Sequence, residues 1–324
     1  MLKRILTALV TIFISLILVF VVIEAMPGDP VDLLAQEYAR TEGLSYEIAF
    51  DRAKATLNYD PDIPVMERFV EYVGGIFTGN LGQSMIYKKS VIDIVLGALP
   101  WTLLVLSISL FLSFTVGVGL GIYIAWKRKK YLNVGLNVYQ SIFGSIPDYI
   151  VGYVLIFIFS VYFGLLPSRG AYTVQPAFSL EFIINILKHA ALPVMTYFLT
   201  TLAGWTMSMR ANSLSVLGED YMNYARARGL SKKRILSNYL GRNAMLPMVT
   251  SVAISFGFMF GGSPLIENLF LYPGVGYYLN MGINRRDFPL MQGMFLIIIV
   301  MVIVSGVISE ILYTRLNPRL RDSK

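Results

Sequence analysis

The chain of 324 residues contains no cysteine and a single histidine. The lack of cysteine excludes disulfide bonds and thiolate chemistry, and the lone His189 excludes a metal site built from several histidines. No Gly-Lys-Ser or Gly-Lys-Thr sequence occurs, so the chain has no Walker A loop with which to bind ATP itself. The glycine-rich loop 79–84 is therefore interpreted as a series of tight turns.

Charged residues are also scarce, at 15%, whereas apolar residues make up 56% of the chain. In soluble domains about a quarter of the residues are charged. The apolar residues are grouped in blocks, and about twenty such residues span the hydrocarbon core of a bilayer. Six blocks are predicted to cross it: 5–26, 101–126, 131–166 with a break at Pro147, 190–209, 245–265 and 288–313. The sequence therefore predicts an all-α, multi-pass membrane protein.

Lysine and arginine are unevenly distributed around these blocks. In a topology with six spans, four regions share one side of the membrane: the N-terminus, the loop after the second block, the loop between the fourth and fifth blocks, and the C-terminal tail. These regions hold seventeen of the Lys and Arg residues, whereas the two short loops on the other side hold four. Because short cytoplasmic loops are enriched in Lys and Arg, both termini and the 217–246 stretch are predicted to be cytoplasmic. The net charge of +7 follows from this asymmetry and requires no nucleic acid.

The long segment 27–93 lies on the opposite, outer side in this topology. Two stretches within it, 45–57 and 64–77, have the apolar periodicity of helices. In the second stretch, Phe69, Tyr72 and Ile76 recur at helical spacing, with charged residues between them. We expect a small helical extracytoplasmic subdomain, and the alternative is a mere linker.

An acidic residue, Asp148, lies within the third apolar block. A straight helix over 131–166 would be about 54 Å long, well beyond a hydrocarbon core of about 30 Å, so the block is expected to break at Pro147. Polar residues within spans are costly and often functional, which makes Asp148 a candidate for a water-lined path. Alternatively, it caps the N-terminus of the second half-helix, where an acid is favoured.

The polar stretch 217–246 separates two strongly apolar blocks. Its pattern predicts a helix over 219–228 with acidic residues in the first turn, where they suit the helix dipole. Gly229 fits the position after a helix that commonly adopts a left-handed backbone. Ser231 can cap a second, amphipathic helix. The stretch is thus predicted to be two short helices joined by a glycine corner.

The exposed face of this stretch is a candidate docking site. Tyr221, Tyr224 and Ala225 are predicted to lie together on one face. The full set assigned to the site is Glu219, Asp220, Tyr221, Tyr224, Ala225, Arg226, Arg228, Gly229 and Leu230. It could bind anionic lipid through its basic residues, DNA in the manner of a helix-turn-helix, or a socket on a soluble partner. The acidic start and the paired tyrosines favour a socket.

Several stretches along the chain resemble, in order, those of one family. EDYMNYARARGLSKKRI, followed by RNAMLP, resembles the cytoplasmic coupling loop of ABC importer permeases of the oligopeptide, dipeptide and nickel branch. The other matching stretches are MPGDP (26–30), GNLGQS (79–84), ALPWTLLV (98–105), SIP (145–147), KHAALPV (188–194), ENLFLYPGVGYYL (267–279), RRDFPLMQG (285–293) and NPRLR (317–321). The resemblance covers essentially the whole chain.

This resemblance implies a type I ABC importer permease fold with six transmembrane helices and cytoplasmic termini. It divides the chain into a first transmembrane helix (1–26), an extracytoplasmic helical subdomain (27–93), a five-helix core (94–316) containing the coupling loop 214–243, and a cytoplasmic tail (317–324). Where the broader superfamily has Glu-Ala-Ala before the glycine, this chain has Asn223, Tyr224 and Ala225.

The resemblance also implies partners and a mechanism. Permeases of this branch act in the prokaryotic inner membrane with a second homologous permease chain, two cytoplasmic ABC ATPase subunits and an external substrate-binding protein. The ATPases bind ATP and Mg²⁺, so this chain is expected to need no cofactor and no metal and to have no catalytic residue. This chain would form half of an alternating-access path, and its outer surface would be surrounded by membrane lipid.

Oligopeptides are the cargo that the resemblance favours. Ser263-Pro264, however, differs from the apolar pair expected in a peptide permease. Ser263 is therefore a second candidate pathway residue. Relatives of the same architecture carry oligosaccharides or metal chelates, and these are the alternative cargoes.

Two other classes of membrane protein are alternatives to a permease. An intramembrane enzyme would need a pair of acids, a Ser/His set or a metal cluster at membrane depth, whereas this sequence has one histidine and scattered single acids. A secondary transporter would normally show an internal inverted repeat, and none is evident. Uptake by this chain alone would favour the second of these classes.

Overall fold

The computed structural model describes residues 2–57 and 63–316. In this part of the chain the α-helices are α1 (Leu2–Glu24), α2 (Pro30–Glu42), α3 (Tyr46–Leu57), α4 (Val65–Thr78), α5 (Val91–Lys127), α6 (Lys130–Phe143), α7 (Asp148–Leu155), α8 (Leu180–Leu217), α9 (Asp220–Ala227), α10 (Lys232–Arg234), α11 (Arg242–Phe258), α12 (Pro264–Leu269), α13 (Val275–Arg285) and α14 (Phe288–Leu316). Two π-helical segments, Ile156–Tyr162 and Ile235–Gly241, continue α7 and α10. The β-structure of the described residues is an isolated bridge between Gln83 and Ser90.

Five helical stretches are long and apolar enough to cross a membrane. They are Leu6–Glu24, Val91–Lys127, Leu180–Leu217, Lys232–Gly261 and Phe288–Ser309. A helix pair, Lys130–Phe143 and Asp148–Tyr162, is bent by 91° and adds a sixth if the pair is one span. The predicted break at Pro147 is present, because proline lacks a backbone N–H and disfavours helical backbone in the residue before it.

Three helices lie between the first two spans. Helices α3 and α4 match the two predicted stretches to within a residue, but α2 was not predicted. Its signals are local: the Asp29 carboxylate accepts a hydrogen bond from Val31 N at 2.7 Å, Pro30 is the first helical residue, and Gly43 ends the helix at φ +69°. Helices α2 and α3 pack together through four buried residues, Val31, Ala35, Ala49 and Ala53.

The described residues form two compact units. The first consists of 2–57, 63–102, 260–268 and 273–303, and the second of 103–259, 269–272 and 304–316. In the first unit, the beginnings of α5 and α14 pack with α13 around a buried apolar cluster that includes Val91, Val95, Leu279, Leu290 and Met294.

In the second unit, α5 and α8 approach closely where two glycines of α5 face α8. A Cβ atom on Gly117 would lie 2.7 Å from Trp205 Cβ, and one on Gly121 would lie 2.8 Å from the carbonyl oxygen of Thr206. Transmembrane helices commonly use small residues where their backbones meet. The glycines therefore fix this crossing, and α5 continues from it to Lys127, beside the polar stretch described next.

Candidate functional site

The glycine corner of the polar stretch has the geometry that the sequence predicts. Gly229 has φ +68°, and its N–H donates to the Arg226 carbonyl at 3.0 Å. The next N–H, of Leu230, donates to the Ala225 carbonyl at 3.3 Å. This pair of hydrogen bonds is a Schellman motif, which satisfies carbonyl groups at the end of α9 and turns the chain.

The second helix of the stretch begins where it was predicted. The Ser231 hydroxyl accepts a hydrogen bond from Arg234 N at 3.4 Å, as an N-cap does. Helix α10, the π-helical segment Ile235–Gly241 and α11 then follow without a break, and together they form the candidate span Lys232–Gly261. The glycine corner therefore joins α9 directly to a membrane-spanning helix.

One face of α9 is buried against neighbouring helices of the same unit. Met222 and Ala225 are 0% and 1% exposed. They belong to an apolar cluster whose other buried members are Ala125, Leu217, Ile235 and Leu240. The expectation that Ala225 lies on the exposed face is wrong, because residues three apart share one side of a helix and Met222 points inward. Tyr221 is half-buried against the same cluster.

The opposite face of α9 is open. Tyr224 is 64% exposed, and the other exposed residues on this side are Asp220, Asn223 and Ala227. These four positions have the i, i+3, i+4 and i+7 spacing of one helix face. Asn223 and Ala227 were missed by the sequence reasoning, although their spacing from Asp220 could have identified them. The exposed Glu219 precedes this face, and the half-buried Leu230 packs on the apolar cluster beyond it.

Two arginines of the stretch lie over aromatic rings. The Arg228 guanidinium is 5.7 Å from the ring centroid of Tyr224, on the open side of α9. The Arg226 guanidinium is 5.9 Å from the ring centroid of Trp126, near the end of α5. Cation–π contacts at exposed sites contribute on the order of 0.5–1 kcal/mol. Arg228 thus orients the exposed tyrosine, whereas Arg226 adds to the attachment of α9.

Asp148 is the first residue of α7, and Pro147 occupies the N-cap position. Asp148 thus lies in the first turn of α7, where an acid suits the helix dipole, as the capping alternative expects. It is exposed within this chain and lies near the Thr200 side chain of α8. Its role in a transport path stays a prediction.

Ser263 has a local structural function. Its hydroxyl accepts a hydrogen bond from Ile266 N at 3.4 Å, and Pro264 is the first residue of α12. Serine is a favoured N-cap and proline a favoured first helical residue. The Ser263-Pro264 pair therefore starts a short helix after the preceding span, while a pathway role for Ser263 stays a prediction.

A buried carboxylate that the sequence reasoning did not single out lies in the first unit. Glu267 is 5% exposed and outside the candidate spans. Its carboxylate accepts hydrogen bonds from Thr102 Oγ1 at 2.8 Å and from Tyr277 N, near the start of α13, at 3.0 Å. Thr102 Oγ1 accepts a hydrogen bond from Val275 N at 2.9 Å. Burial raises the pKa of Glu267 to about 7. Glu267 thus links α12, α13 and α5.

Glycines make room for this carboxylate. A Cβ atom on Gly274 would lie 2.4 Å from both Glu267 Oε2 and Thr102 Oγ1. A Cβ atom on Gly276 would lie 2.6 Å from the backbone nitrogen of Pro264. The one signal in the sequence was an acid followed by Pro-Gly-Val-Gly, within the stretch ENLFLYPGVGYYL.

A second buried acid, Asp287, fixes the beginning of α14. It is 0% exposed and accepts hydrogen bonds from Ser84 Oγ at 2.5 Å, Ile86 N at 3.0 Å and Leu290 N at 3.2 Å. Its carboxylate therefore caps α14 and holds the glycine-rich loop 79–84 against it. This gives that loop a structural function, in keeping with its interpretation as turns.

Several apolar helices long enough to cross a membrane, with the short amphipathic helix α9 packed beside them, define a polytopic membrane protein. Residues 117–322 match the family model described as "binding-protein-dependent transport system inner membrane component". This match covers more than half of the chain, and the chain belongs to that family. The resemblance to ABC importer permeases of the oligopeptide, dipeptide and nickel branch is confirmed, and the protein is a multi-pass protein of the prokaryotic inner membrane.

Curated relatives match over nearly their whole length. The oligopeptide transport system permease protein AppB of Bacillus subtilis is 30% identical over 305 residues, which cover 94% of this chain and 93% of the relative. The glutathione transport system permease protein GsiC of Escherichia coli K12 is 31% identical over 320 residues, which cover 98% and 97%. These relatives are permease components of transport systems, not enzymes.

Proposed function

We propose that this chain forms half of the translocation path of an ATP-driven, binding-protein-dependent importer of oligopeptides. Its partners are a second homologous permease chain, two cytoplasmic ABC ATPases and an extracytoplasmic substrate-binding protein. ATP and Mg²⁺ are bound by the ATPases, and this chain supplies no catalytic residue. Peptide cargo is supported by the relatives, which are named for oligopeptide and glutathione transport. Oligosaccharides and metal chelates are the alternative cargoes.

This proposal rests on the observation that α9 has one buried face and one exposed face. Its inner face is buried through Met222 and Ala225 against helices that lead into the spans. Its outer face presents Asp220 and Tyr224 to a partner. Because Gly229 joins α9 to the span Lys232–Gly261, a displacement of the outer face is passed to the membrane part.

In the proposed mechanism, the ATPase receives the open face of α9 in a groove. Closure of the ATPase dimer on ATP moves α9, and the spans that contact its buried face rotate with it. The path then alternates between an outward-facing and an inward-facing state, with each ligand favouring the state that it binds better. Asp148 and Ser263 are the candidate residues along the path.

The orientation of the chain is part of the proposal. The distribution of basic residues supports a cytoplasmic position for α9 and both termini and an outer position for α2, α3 and α4. The α2–α3 pair, which packs around its own small core, is then available to the substrate-binding protein.

The docking role of α9 is tested by Tyr224→Ala. Truncating a hot-spot side chain at a docking contact weakens binding by about 2 kcal/mol or more, and hot spots are enriched in tyrosine. Co-purification of the ATPases, and hydrolysis stimulated by the binding protein, are expected to fall about tenfold or more. The matched control is Tyr131→Ala, because Tyr131 is 62% exposed and also lies beside a cation, with Lys129 Nζ 5.6 Å from its ring. Equal losses in both variants would contradict a specific role for α9.

The transport class is tested separately. Vesicles that contain this chain alone, without ATPases, are expected to show no uptake. Unaided uptake would overturn the proposal in favour of a secondary transporter, whatever the result with Tyr224.

A further inference from the structure

Helix α4 runs back along the first span. Near the end of α1, Glu24 forms an ion pair with Arg68, in the first turn of α4. One turn earlier in α1, the ring of Phe20 lies 5.1 Å from that of Phe69 and 6.0 Å from that of Tyr72, measured between centroids. Residue numbers rise along α4 as they fall along α1. The two helices are therefore antiparallel, and α4 descends beside α1 from its end.

These contacts place α4 at the depth of the spans. Glu24 ends the candidate span Leu6–Glu24, and Phe20 lies four residues, or about 6 Å, inside that end. The loop 79–84, which follows α4, remains at this depth. A Cβ atom on Gly293, within the span Phe288–Ser309, would lie 3.6 Å from Leu81 Cδ1. The second half of α4 is thus beside membrane-spanning helices, not beyond them.

The sequence of α4 changes in the same direction. Its charged residues, Glu67, Arg68 and Glu71, lie in the first half, and the stretch 72–87 contains no charged residue. The C-terminal end of α4 is also well capped. Asn80 N donates to the Gly75 carbonyl at 2.9 Å, and Gly79 N donates to the Ile76 carbonyl at 3.3 Å. A helix that ends in a low-dielectric medium requires such satisfied carbonyls.

One apolar stripe of α4 is left uncovered by the part of the chain that the structure describes. Met66, Val70 and Phe77 are 71%, 63% and 86% exposed, and their spacing places them on one face. The α1 span also has exposed apolar residues, which include Leu18 and Val22. At this depth the surrounding medium is lipid, and an apolar, uncharged stripe suits acyl chains.

We propose that α4 is embedded in the leaflet that surrounds the C-terminal end of α1, with Met66, Val70 and Phe77 in contact with acyl chains. The segment between the first two spans then has two parts. Helix α4 belongs to the membrane part, and the α2–α3 pair remains for the binding protein. This assignment goes beyond the proposed function, because it holds whatever cargo the importer carries.

The absence of cysteine allows the proposal to be tested by single labels on this chain. The full-length chain, carrying Val70→Cys or Phe77→Cys, is labelled with an environment-sensitive fluorophore and reconstituted with its partner subunits. The vesicles are phosphatidylcholine with a lipid that carries a nitroxide near the top of its acyl chain. Labels at both positions are expected to be quenched at least twofold more than a label at Glu71→Cys, on the charged side of α4.

Two further positions calibrate the quenching. Leu18→Cys reports an exposed position within the α1 span, and Ile48→Cys reports an exposed apolar position on α3. Val70 and Phe77 are expected to resemble Leu18. Quenching no stronger than at Ile48 would overturn the proposal, and this result would mean that the stripe faces water, the sister permease or the binding protein. Quenching at Val70 or Phe77 that disappears on adding binding protein would overturn it as well.

Discussion

The chain holds two short helices beside its spans in two different ways. Helix α9 is held by apolar contacts, with Met222 and Ala225 buried against four aliphatic side chains. Helix α13 also packs on an apolar cluster, but it is held in addition by a carboxylate, because Glu267 accepts a hydrogen bond from Tyr277 N and is itself bound to Thr102 of α5. The first attachment is non-directional, whereas the second depends on bond angles and on glycines that permit close approach.

This difference matters for the proposed mechanism. Apolar surfaces tolerate small rotations because the free energy of burial depends on area and not on angle. A buried carboxylate with fixed donors allows no such change without leaving polar groups unsatisfied, at a cost of about 1–3 kcal/mol per group. We infer that the α9 attachment is the movable one and that the Glu267 attachment is a fixed point of the first unit.

The largest effect on stability is expected from a substitution at Gly276, which lies against backbone atoms next to the Glu267 attachment. In Gly276→Ala, the new Cβ atom would lie 2.6 Å from the Pro264 nitrogen and 2.7 Å from the Ser263 carbonyl carbon. Backbone atoms cannot move aside by changing rotamer, so α13 must shift and the hydrogen bond from Tyr277 to Glu267 is lost. Overpacking and an unsatisfied buried group together cost about 3 kcal/mol or more. The yield of folded, detergent-extracted protein should fall severalfold.

Gly97→Ala is the control for that variant. Gly97 lies in α5 of the same unit, and a Cβ atom there would meet nothing within 4 Å. Its yield should equal or exceed that of the wild type, since alanine is favoured over glycine within a helix. Similar yields for the two variants would show that close packing around Glu267 does not limit folding.

A smaller effect is expected at the movable attachment, in Gly229→Val. A Cβ atom at Gly229 meets nothing within 4 Å, so the effect arises from the backbone alone. A β-branched residue at φ +68° is strained by about 1–3 kcal/mol, which turns the corner and misplaces Tyr224. The chain should insert and pair with its sister permease, while ATPase recruitment and stimulated hydrolysis fall about tenfold. Co-purification and hydrolysis by the reconstituted complex measure both.

Gly229→Asn sharpens this result, because asparagine enters the left-handed region more readily than valine does. It should retain most of the recruitment that Gly229→Val loses. Wild-type recruitment in Gly229→Val would mean that the corner does not set the docking geometry of α9.

The parts of the structure that could be predicted from sequence are those with local causes. The apolar blocks follow from the thickness of the bilayer, and the break at Pro147 follows from the missing N–H of proline. The corner at Gly229 and the cap at Ser231 are set by residues within a few positions of one another. Even α2 had local signals, in Asp29 and Pro30, that were overlooked.

The parts that could not be predicted depend on distant partners. Glu267 is bound to Thr102, 165 residues earlier in the chain, and the Pro-Gly-Val-Gly sequence that follows Glu267 does not indicate this partner. The burial of Ala225 depends on Ala125 of α5, which no periodicity within α9 reveals. In a helix of eight residues, spacing shows which residues share a face, but the pattern is too short to show which face is buried.

The last effect is expected only as a dependence of stability on pH, and it comes from the titration of Glu267. Its pKa of about 7 in the folded protein exceeds the ordinary value of 4.5, so between these pH values the folded state retains a proton that the unfolded state releases. Stability from this residue is therefore fully present below about pH 4.5 and is lost as pH rises toward 7, by at most about 1.4 kcal/mol per pH unit.

Glu267→Gln does not titrate and resembles the protonated side chain. The measurement is thermal unfolding of the detergent-solubilised complex at pH 5, 6, 7 and 8. As pH rises, the wild type should lose stability relative to Glu267→Gln. The difference in stability between the two proteins should change only below about pH 7. Parallel curves for the two proteins over the whole range would show that the carboxylate is already ionised at pH 5, and that Glu267 holds α13 as a charged group.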